Sequence, residues 1–75
     1  MTLADLGSGN TARVTAVEGG TPVVRRLMEM GLVRGAQVSV RQIAPFGDPM
    51  QLRVGDYTLS IRKAEARRFS VESDG

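Results

Sequence analysis

The chain contains no cysteine and no histidine. These residue types supply the commonest catalytic base, a common nucleophile and the preferred protein ligands of zinc and iron. Asp48 and Asp56 are the acids that might pair in a carboxylate enzyme, but both lie in turn contexts that favour Asp for structural reasons. We therefore expect no enzyme, and no catalytic, cofactor-binding or metal-ligating residue.

Aromatic residues are also scarce, with two Phe, one Tyr and no Trp. The net charge is only +2, from 10 basic and 8 acidic residues, and the cations are scattered along the sequence. A nucleic-acid surface favours clustered cations interleaved with aromatic side chains. We expect no nucleic-acid partner, although the excess of Arg leaves a small nucleic-acid-binding barrel as an alternative.

Long apolar segments are absent as well. Residues Met1 to Gly9 lack the basic and apolar regions of a signal peptide. No apolar run approaches the ~18 residues that a membrane span needs. Because small secreted domains usually carry disulfides, the sequence favours a cytoplasmic protein, for which any membrane association must come through a partner. Its 75 residues predict one domain, with a disordered tail at residues 73–75.

One stretch has strong helix signals. Thr21 is a suitable N-cap and Pro22 a suitable first helical residue. Gly31 suits the left-handed C′ position, with Leu32 folding back on the helix, so the helix should end near Met30. An apolar stripe occurs at helical spacing and comprises Val23, Leu27 and Met30. This stripe is the predicted core face.

Most of the remaining sequence alternates between apolar and polar residues. This pattern predicts strands at Ala12–Val17, Gln37–Ile43, Met50–Val54, Tyr57–Ile61 and Phe69–Val71. Gly55-Asp56 predicts a type II′ hairpin, and Arg62 to Arg67 a short helical turn. The expected fold is mainly β: an SH3-like small barrel of about five antiparallel strands with one inserted helix, from about Pro22 to Met30. Closure of the barrel should remove exposed sheet edges.

Two features have weaker structural explanations. In the loop Ala44 to Pro49, two prolines restrict the backbone and Gly47 permits a turn, so that Phe46 is either presented to a partner or caps the barrel mouth. Arg25 and Arg26 form either a solvated helix face, with Glu29 four residues after Arg25, or a docking surface.

With these residues in view, the chain resembles the FeoA family of small bacterial ferrous-iron transport accessory proteins from Leu3 to Val71. The resemblance rests on the order and spacing of Arg26 to Leu32, Gly35, Ala44-Pro45, Gly47-Asp48-Pro49, Leu59 to Arg62 and Ala66 to Val71. The sequence departs at Arg34, where the family often has Pro, and at Ser60, where a small apolar residue is frequent.

The resemblance implies an SH3-like barrel in the cytoplasm that works with FeoB, a large inner-membrane ferrous-iron permease with a cytosolic GTPase domain. Similar domains also form the C-terminal part of iron-dependent transcription regulators. Because this chain starts at its own Met1 and shows no helix-turn-helix, the free-standing form is favoured. The implied function is a non-enzymatic accessory protein that docks on the cytosolic part of FeoB and modulates its assembly or activity through protein contact.

The predicted partner-binding residues come from the helix and the Pro/Gly loop. They are Arg25, Arg26, Leu27, Met30, Gly31, Leu32, Pro45, Phe46, Gly47, Asp48 and Pro49. Leu27 also lies on the core stripe, so its substitution should loosen the fold as well as affect binding. An alternative is a homo-oligomer that assembles through the same helix surface.

Overall fold

A computed structural model of the chain describes residues 1–74. The elements are β1 (Thr11–Val17), α1 (Pro22–Glu29), β2 (Gln37–Ile43), β3 (Met50–Val54), β4 (Tyr57–Ile61), α2 (Lys63–Ala66) and β5 (Phe69–Ser73), after a 3₁₀ turn at Leu3–Asp5. The strands form one five-stranded antiparallel sheet in the order β4-β3-β2-β1-β5. The predicted mainly β fold, with one helix after the first strand and a short helical turn before the last, is confirmed.

The sheet bends around a single apolar core. Its ladders shift register between Val14 and Ala16 of β1 and between Val40 and Gln42 of β2. Irregularities of this kind bend strands and increase their twist, which lets a small sheet curl on itself. The largest fully buried side chain in the core is Phe69. Within residues 1–74 no polar or charged residue is buried.

The ends of α1 form as the sequence predicts. The Thr21 hydroxyl oxygen accepts a hydrogen bond from the Val24 N–H at 3.2 Å. At the other end Gly31 has φ +106°, a conformation that disfavours residues with a Cβ. The Leu32 N–H then reaches back to the Leu27 carbonyl oxygen at 3.1 Å, as in a Schellman motif. Local hydrogen bonding therefore fixes both helix ends.

The core face of α1 differs from the predicted stripe. Val23 is 43% exposed, whereas Val24 is 0% exposed and Leu27 is 7% exposed. Met28 and Met30 are partly buried at the edge of the core. Val23 and Val24 lie four and three residues before Leu27, so helical spacing allows either to share its face. Tertiary packing selects Val24 and leaves Val23 on the surface.

The β3–β4 hairpin has the predicted turn. Val54 and Tyr57 are paired across two connecting residues. Gly55 has φ +57°, and no non-glycine residue of the described chain has positive φ, so Asp56 does not. Positive φ at the first turn position alone distinguishes type II′ from type I′. The type II′ prediction is confirmed.

The last strand runs further than the sequence indicated. Ser73 belongs to β5 and pairs with Ala12. The Asp74 N–H donates to the Thr11 carbonyl oxygen at 3.1 Å. The predicted disordered tail therefore does not begin at Ser73, and Gly75 lies outside the described residues.

The two edge strands are not joined to each other. In the described part of the chain, β4 pairs with β3 alone, and no ladder links β4 to β5. The expectation that closure removes the exposed edges is therefore wrong for β4. α2 lies between β4 and β5 in sequence, and β5 pairs with β1 instead.

Candidate functional site

The two adjacent arginines of α1 have different surroundings. Arg25 lies over the Gly19-Gly20 turn, since a Cβ built on Gly20 would be 3.6 Å from Arg25 Nη2. Arg26 instead lines a groove beside β4. Residues 1–74 contain no ion pair between Arg25 and Glu29, and the guanidinium of Arg26 has no hydrogen-bond or ion-pair partner there. Arg26 is therefore an exposed cation beside this groove without a partner among the described residues.

The groove beside Arg26 separates α1 from β4, and we call it the helix–strand groove. It encloses about 220 Å³ and is lined by Val23, Arg26, Leu27, Met30, Thr58, Leu59 and Ser60. Its helix wall is apolar apart from one guanidinium. Exposed apolar surface next to a single unpaired charge is typical of a protein-interaction surface rather than of a catalytic pocket.

A second groove continues past Met30 toward the β3–β4 turn, and we call it the hairpin groove. It has a volume of about 460 Å³, and its lining includes Gly31, Val54, Asp56 and Tyr57. The Tyr57 side chain is 57% exposed. Met30 lines both grooves, so the two grooves are neighbours, and each contacts part of β4.

The Pro/Gly loop is a turn that projects Phe46. The Gly47 N–H donates to the Ala44 carbonyl oxygen at 2.7 Å, and the Ala44 N–H donates to the Pro49 carbonyl oxygen at 3.1 Å. Phe46 is 98% exposed. Of the two interpretations of Phe46, presentation to solvent is the one that fits, because a capping side chain would be covered. A Phe with so little cover is unusual.

Asp48 has a structural role in this loop. Its Oδ1 accepts a hydrogen bond from the Lys63 N–H at 3.0 Å, at the start of α2. This bond satisfies one of the backbone donors that a helix start leaves unpaired. A Cβ built on Gly47 would also lie 3.6 Å from Lys63 Nζ. The loop is therefore attached to α2.

The predicted residues do not form one compact patch. Arg26, Leu27, Met30 and Gly31 line the two grooves. Arg25 lies over the Gly19-Gly20 turn instead, and the loop is joined to α2 through Asp48. β4 connects the two groups, since Ser60 lines the helix–strand groove and Lys63 follows shortly after it. A partner that contacts both groups must therefore span this end of β4.

Two predicted residues are core residues. Leu32 is 0% exposed, so its side chain cannot reach a partner in this fold, and we leave it out of the proposed surface. Leu27 is 7% exposed and contributes only an edge to the groove. Gly31 is exposed, and its role here is to end the helix.

The sequence prediction missed Val23 and the residues of β4. The sequence pattern assigns Val23 to the core and Tyr57, Thr58 and Ser60 only to a hairpin, whereas all four line the grooves. The absence of charge and of Pro in Tyr57–Ile61 was a usable signal, because edge strands normally carry such residues. It could not be used without the strand order, which shows that β4 is an edge.

A metal ion is usually held by three or more Asp, Glu, His or Cys side chains that lie close together. The described residues contain no such group. No helix among them is long and apolar enough to cross a membrane.

Comparison with known proteins agrees with this architecture. The model of the FeoA domain matches residues 1–73. The chain belongs to the FeoA family. FeoA domains are non-catalytic accessory domains, which confirms the prediction that the chain is not an enzyme.

Two solved FeoA structures show the same fold. The solution structure of the Chlorobium tepidum FeoA protein is 40% identical and covers 100% of this chain and 71% of that chain, with a TM-score of 0.92. The crystal structure of Stenotrophomonas maltophilia FeoA complexed with zinc, described as a prokaryotic SH3 domain protein, is 33% identical. It covers 96% of this chain and 89% of its own, with a TM-score of 0.83. The SH3-like prediction is confirmed.

A curated relative combines this domain with a transporter. The Fe(2+) transport protein A/Fe(2+) transporter FeoB fusion protein of Porphyromonas gingivalis is 39% identical over 72 residues. The match covers 96% of this chain and 8% of that protein. In that relative, the FeoA domain is therefore a small part of a much longer polypeptide.

Proposed function

We propose that this chain is an accessory domain of ferrous-iron uptake that docks on the cytosolic part of a FeoB-type transporter and modulates its assembly or activity. The observation that carries the proposal is the P. gingivalis fusion protein, in which a domain 39% identical to this chain shares a polypeptide with FeoB. Fusion keeps two domains at a high effective concentration, which is useful when the domains contact each other.

The surface itself supports a role in binding. Val23 and Phe46 are exposed apolar residues, and Arg26 is an exposed cation without a partner in the described chain. Solvent-exposed aromatic and Arg side chains are the types that contribute most to binding at protein interfaces. The proposed docking surface therefore comprises the helix–strand groove, the hairpin groove and the tip of the loop at Phe46.

The size of the protein indicates that these parts act together. A standard interface buries about 800 Å² on each partner. The described surface of this chain totals 4648 Å². A standard interface would therefore cover roughly a sixth of the molecule. Such an interface involves about 20–30 residues on each side, more than line the two grooves, so contact should extend beyond the grooves toward Phe46.

The proposal is tested by measuring the affinity of the purified chain for the cytosolic domain of the FeoB-type transporter from the same organism. Arg26→Ala and Phe46→Ala should each weaken binding by about 5- to 30-fold, the effect of losing an interface residue worth about 1–2 kcal/mol. Arg41→Ala and Val33→Ala are matched controls, since both residues are exposed and lie outside the proposed surface.

Thermal melting would establish that all four variants are folded. The proposed surface is wrong if folded Arg26→Ala and Phe46→Ala proteins bind as tightly as the wild type. The proposed function is wrong if the wild-type chain neither binds the transporter nor changes its GTP hydrolysis or iron flux. Mass measured across a concentration series would show whether the same variants affect self-association instead.

A further inference from the structure

The two edges of the sheet are protected very differently. On the β5 side, the Val71 N–H donates to the Met1 carbonyl oxygen at 3.0 Å, and Thr2 forms a bridge with Ser70. The N-terminal segment therefore covers part of that edge. On the β4 side, no other backbone segment of residues 1–74 pairs with the outer edge.

The hairpin register identifies the unpaired groups of β4. Val54 and Tyr57 flank a two-residue turn and therefore form a hydrogen-bonded pair. In an antiparallel ladder such pairs alternate, so Leu59 also turns its N–H and C=O toward β3. Thr58 and Ser60 turn theirs away from the sheet, and within the described chain these groups have no hydrogen-bond partner. They form a free template for another strand.

The usual protections of an edge strand are missing here. Tyr57–Ile61 contains no charged residue and no Pro, and the β3–β4 ladder has no bulge. Natural proteins use these features to prevent strands from pairing with other chains. An unprotected edge with a helix beside it is the arrangement used by domains that bind extended peptides by strand addition.

We propose that β4 accepts an extended segment of a partner protein as a sixth strand, held in the helix–strand groove between β4 and α1. Alternate side chains of an added strand point to the same side. One apolar side chain of the segment would pack against Val23 and Met30, and an Asp or Glu side chain would pair with Arg26. This inference rests on the proposed function, because it assigns the segment to the cytosolic part of the transporter.

Charge favours a partner segment over a second copy of this chain. In a symmetric pairing, β4 would offer Tyr57–Ile61, which has no acidic side chain to meet Arg26. Such a dimer would also bring two helix–strand grooves with the same positive charge close together, which is unfavourable. A segment with one acidic and one apolar residue satisfies both the guanidinium and the apolar wall.

The test uses a matched pair of variants, Ser60→Pro and Ser60→Ala. Ser60→Pro removes an outward N–H without removing a β3–β4 hydrogen bond, a position where an edge strand tolerates Pro. Ser60→Ala removes the hydroxyl and keeps the N–H. With the intact cytosolic domain of the transporter, Ser60→Pro should bind at least tenfold more weakly than Ser60→Ala, because both variants lose the hydroxyl and only Ser60→Pro loses the outward N–H.

A second measurement uses the wild-type protein, so it tests strand addition even if Ser60→Pro does not fold. Overlapping peptides of the transporter's cytosolic part identify the binding segment, which is then synthesised with one backbone nitrogen methylated at a time. Methylation should abolish binding at alternate positions only, since every second N–H of an added strand faces β4. Replacing the peptide's acidic residue by its amide should weaken binding to wild type at least fivefold, and should have little effect on binding to Arg26→Gln.

The outcomes separate this inference from the proposed function. If wild type binds the transporter domain and Ser60→Pro binds equally well, or methylation has no alternating effect, strand addition is wrong and the proposed function stands. If wild type binds neither the domain nor any of its peptides, strand addition is wrong. The proposed function is wrong as well if the GTP hydrolysis and iron flux of the transporter are also unchanged. If wild type is a dimer that Ser60→Pro converts to a monomer, the occupant of the edge is a second copy and the assignment to a partner segment is overturned.

Discussion

Two neighbouring positions of α1 should separate folding from binding. Leu27 is 7% exposed and packs in the core, whereas Val23 is 43% exposed at the groove. Leu27→Ala should lower the free energy of unfolding by about 2–4 kcal/mol, the cost of removing a buried Leu side chain and leaving a cavity. Val23→Ala should change it by less than about 0.5 kcal/mol, because Ala is the better helix former and little buried surface is lost.

The loss expected for Leu27→Ala is large relative to the stability of the domain. A chain of 75 residues has a free energy of unfolding of about 4–11 kcal/mol at the usual value per residue. Leu27→Ala therefore removes a large fraction of it and should lower the urea midpoint by about 1–4 M, for a slope of about 1–2 kcal/mol per M. Val23→Ala should leave the midpoint nearly unchanged.

Urea unfolding followed by circular dichroism measures both variants, and the slope should remain that of the wild type. The same samples give the affinity for the transporter domain, where Val23→Ala should weaken binding despite normal stability. Equal destabilisation by the two substitutions would refute the packing described for α1. It would also restore Val23 to the core, as the sequence pattern first indicated.

Two further predictions concern hydrogen bonds that organise the surface. Thr21→Ala should lower the free energy of unfolding by about 1 kcal/mol, because it removes the acceptor of the Val24 N–H, and Thr21→Ser should restore most of it. If urea unfolding gives the same loss of stability for Thr21→Ser as for Thr21→Ala, the capping role of the Thr21 hydroxyl is contradicted. Asp48→Ala should cost about 0.5–1.5 kcal/mol and speed amide exchange at Lys63, whereas Asp48→Asn, which keeps an acceptor oxygen, should cost less. Asp56→Ala is the control, and unchanged exchange at Lys63 in Asp48→Ala would show that the bond does not hold the loop.

The features that the sequence predicts well depend on local interactions. The helix start at Thr21, its end at Gly31 and the turn at Gly55 each depend on a few adjacent residues whose preferences agree. Alternation in β3 and β4 gives their bounds for a similar reason, since inward and outward positions repeat every second residue.

The features that the sequence does not determine depend on distant parts of the chain. Helical spacing places either Val23 or Val24 beside Leu27, and the sheet beneath the helix selects Val24. The two possible environments of Phe46 differ only in whether another element covers it. The open edge of β4 follows from the strand order, which no local pattern specifies.

The hydrogen bond between Asp48 and the start of α2 has a consequence for the thermodynamics of association. α2 follows β4 directly, so this bond joins the loop that carries Phe46 to the same rigid unit as the open edge. A partner that spans both features meets a surface whose relative geometry is already fixed. Less conformational entropy is then lost on binding, so a modest contact area can support a useful affinity. Loosening that bond should therefore weaken binding through entropy, even though Asp48 itself need not touch the partner.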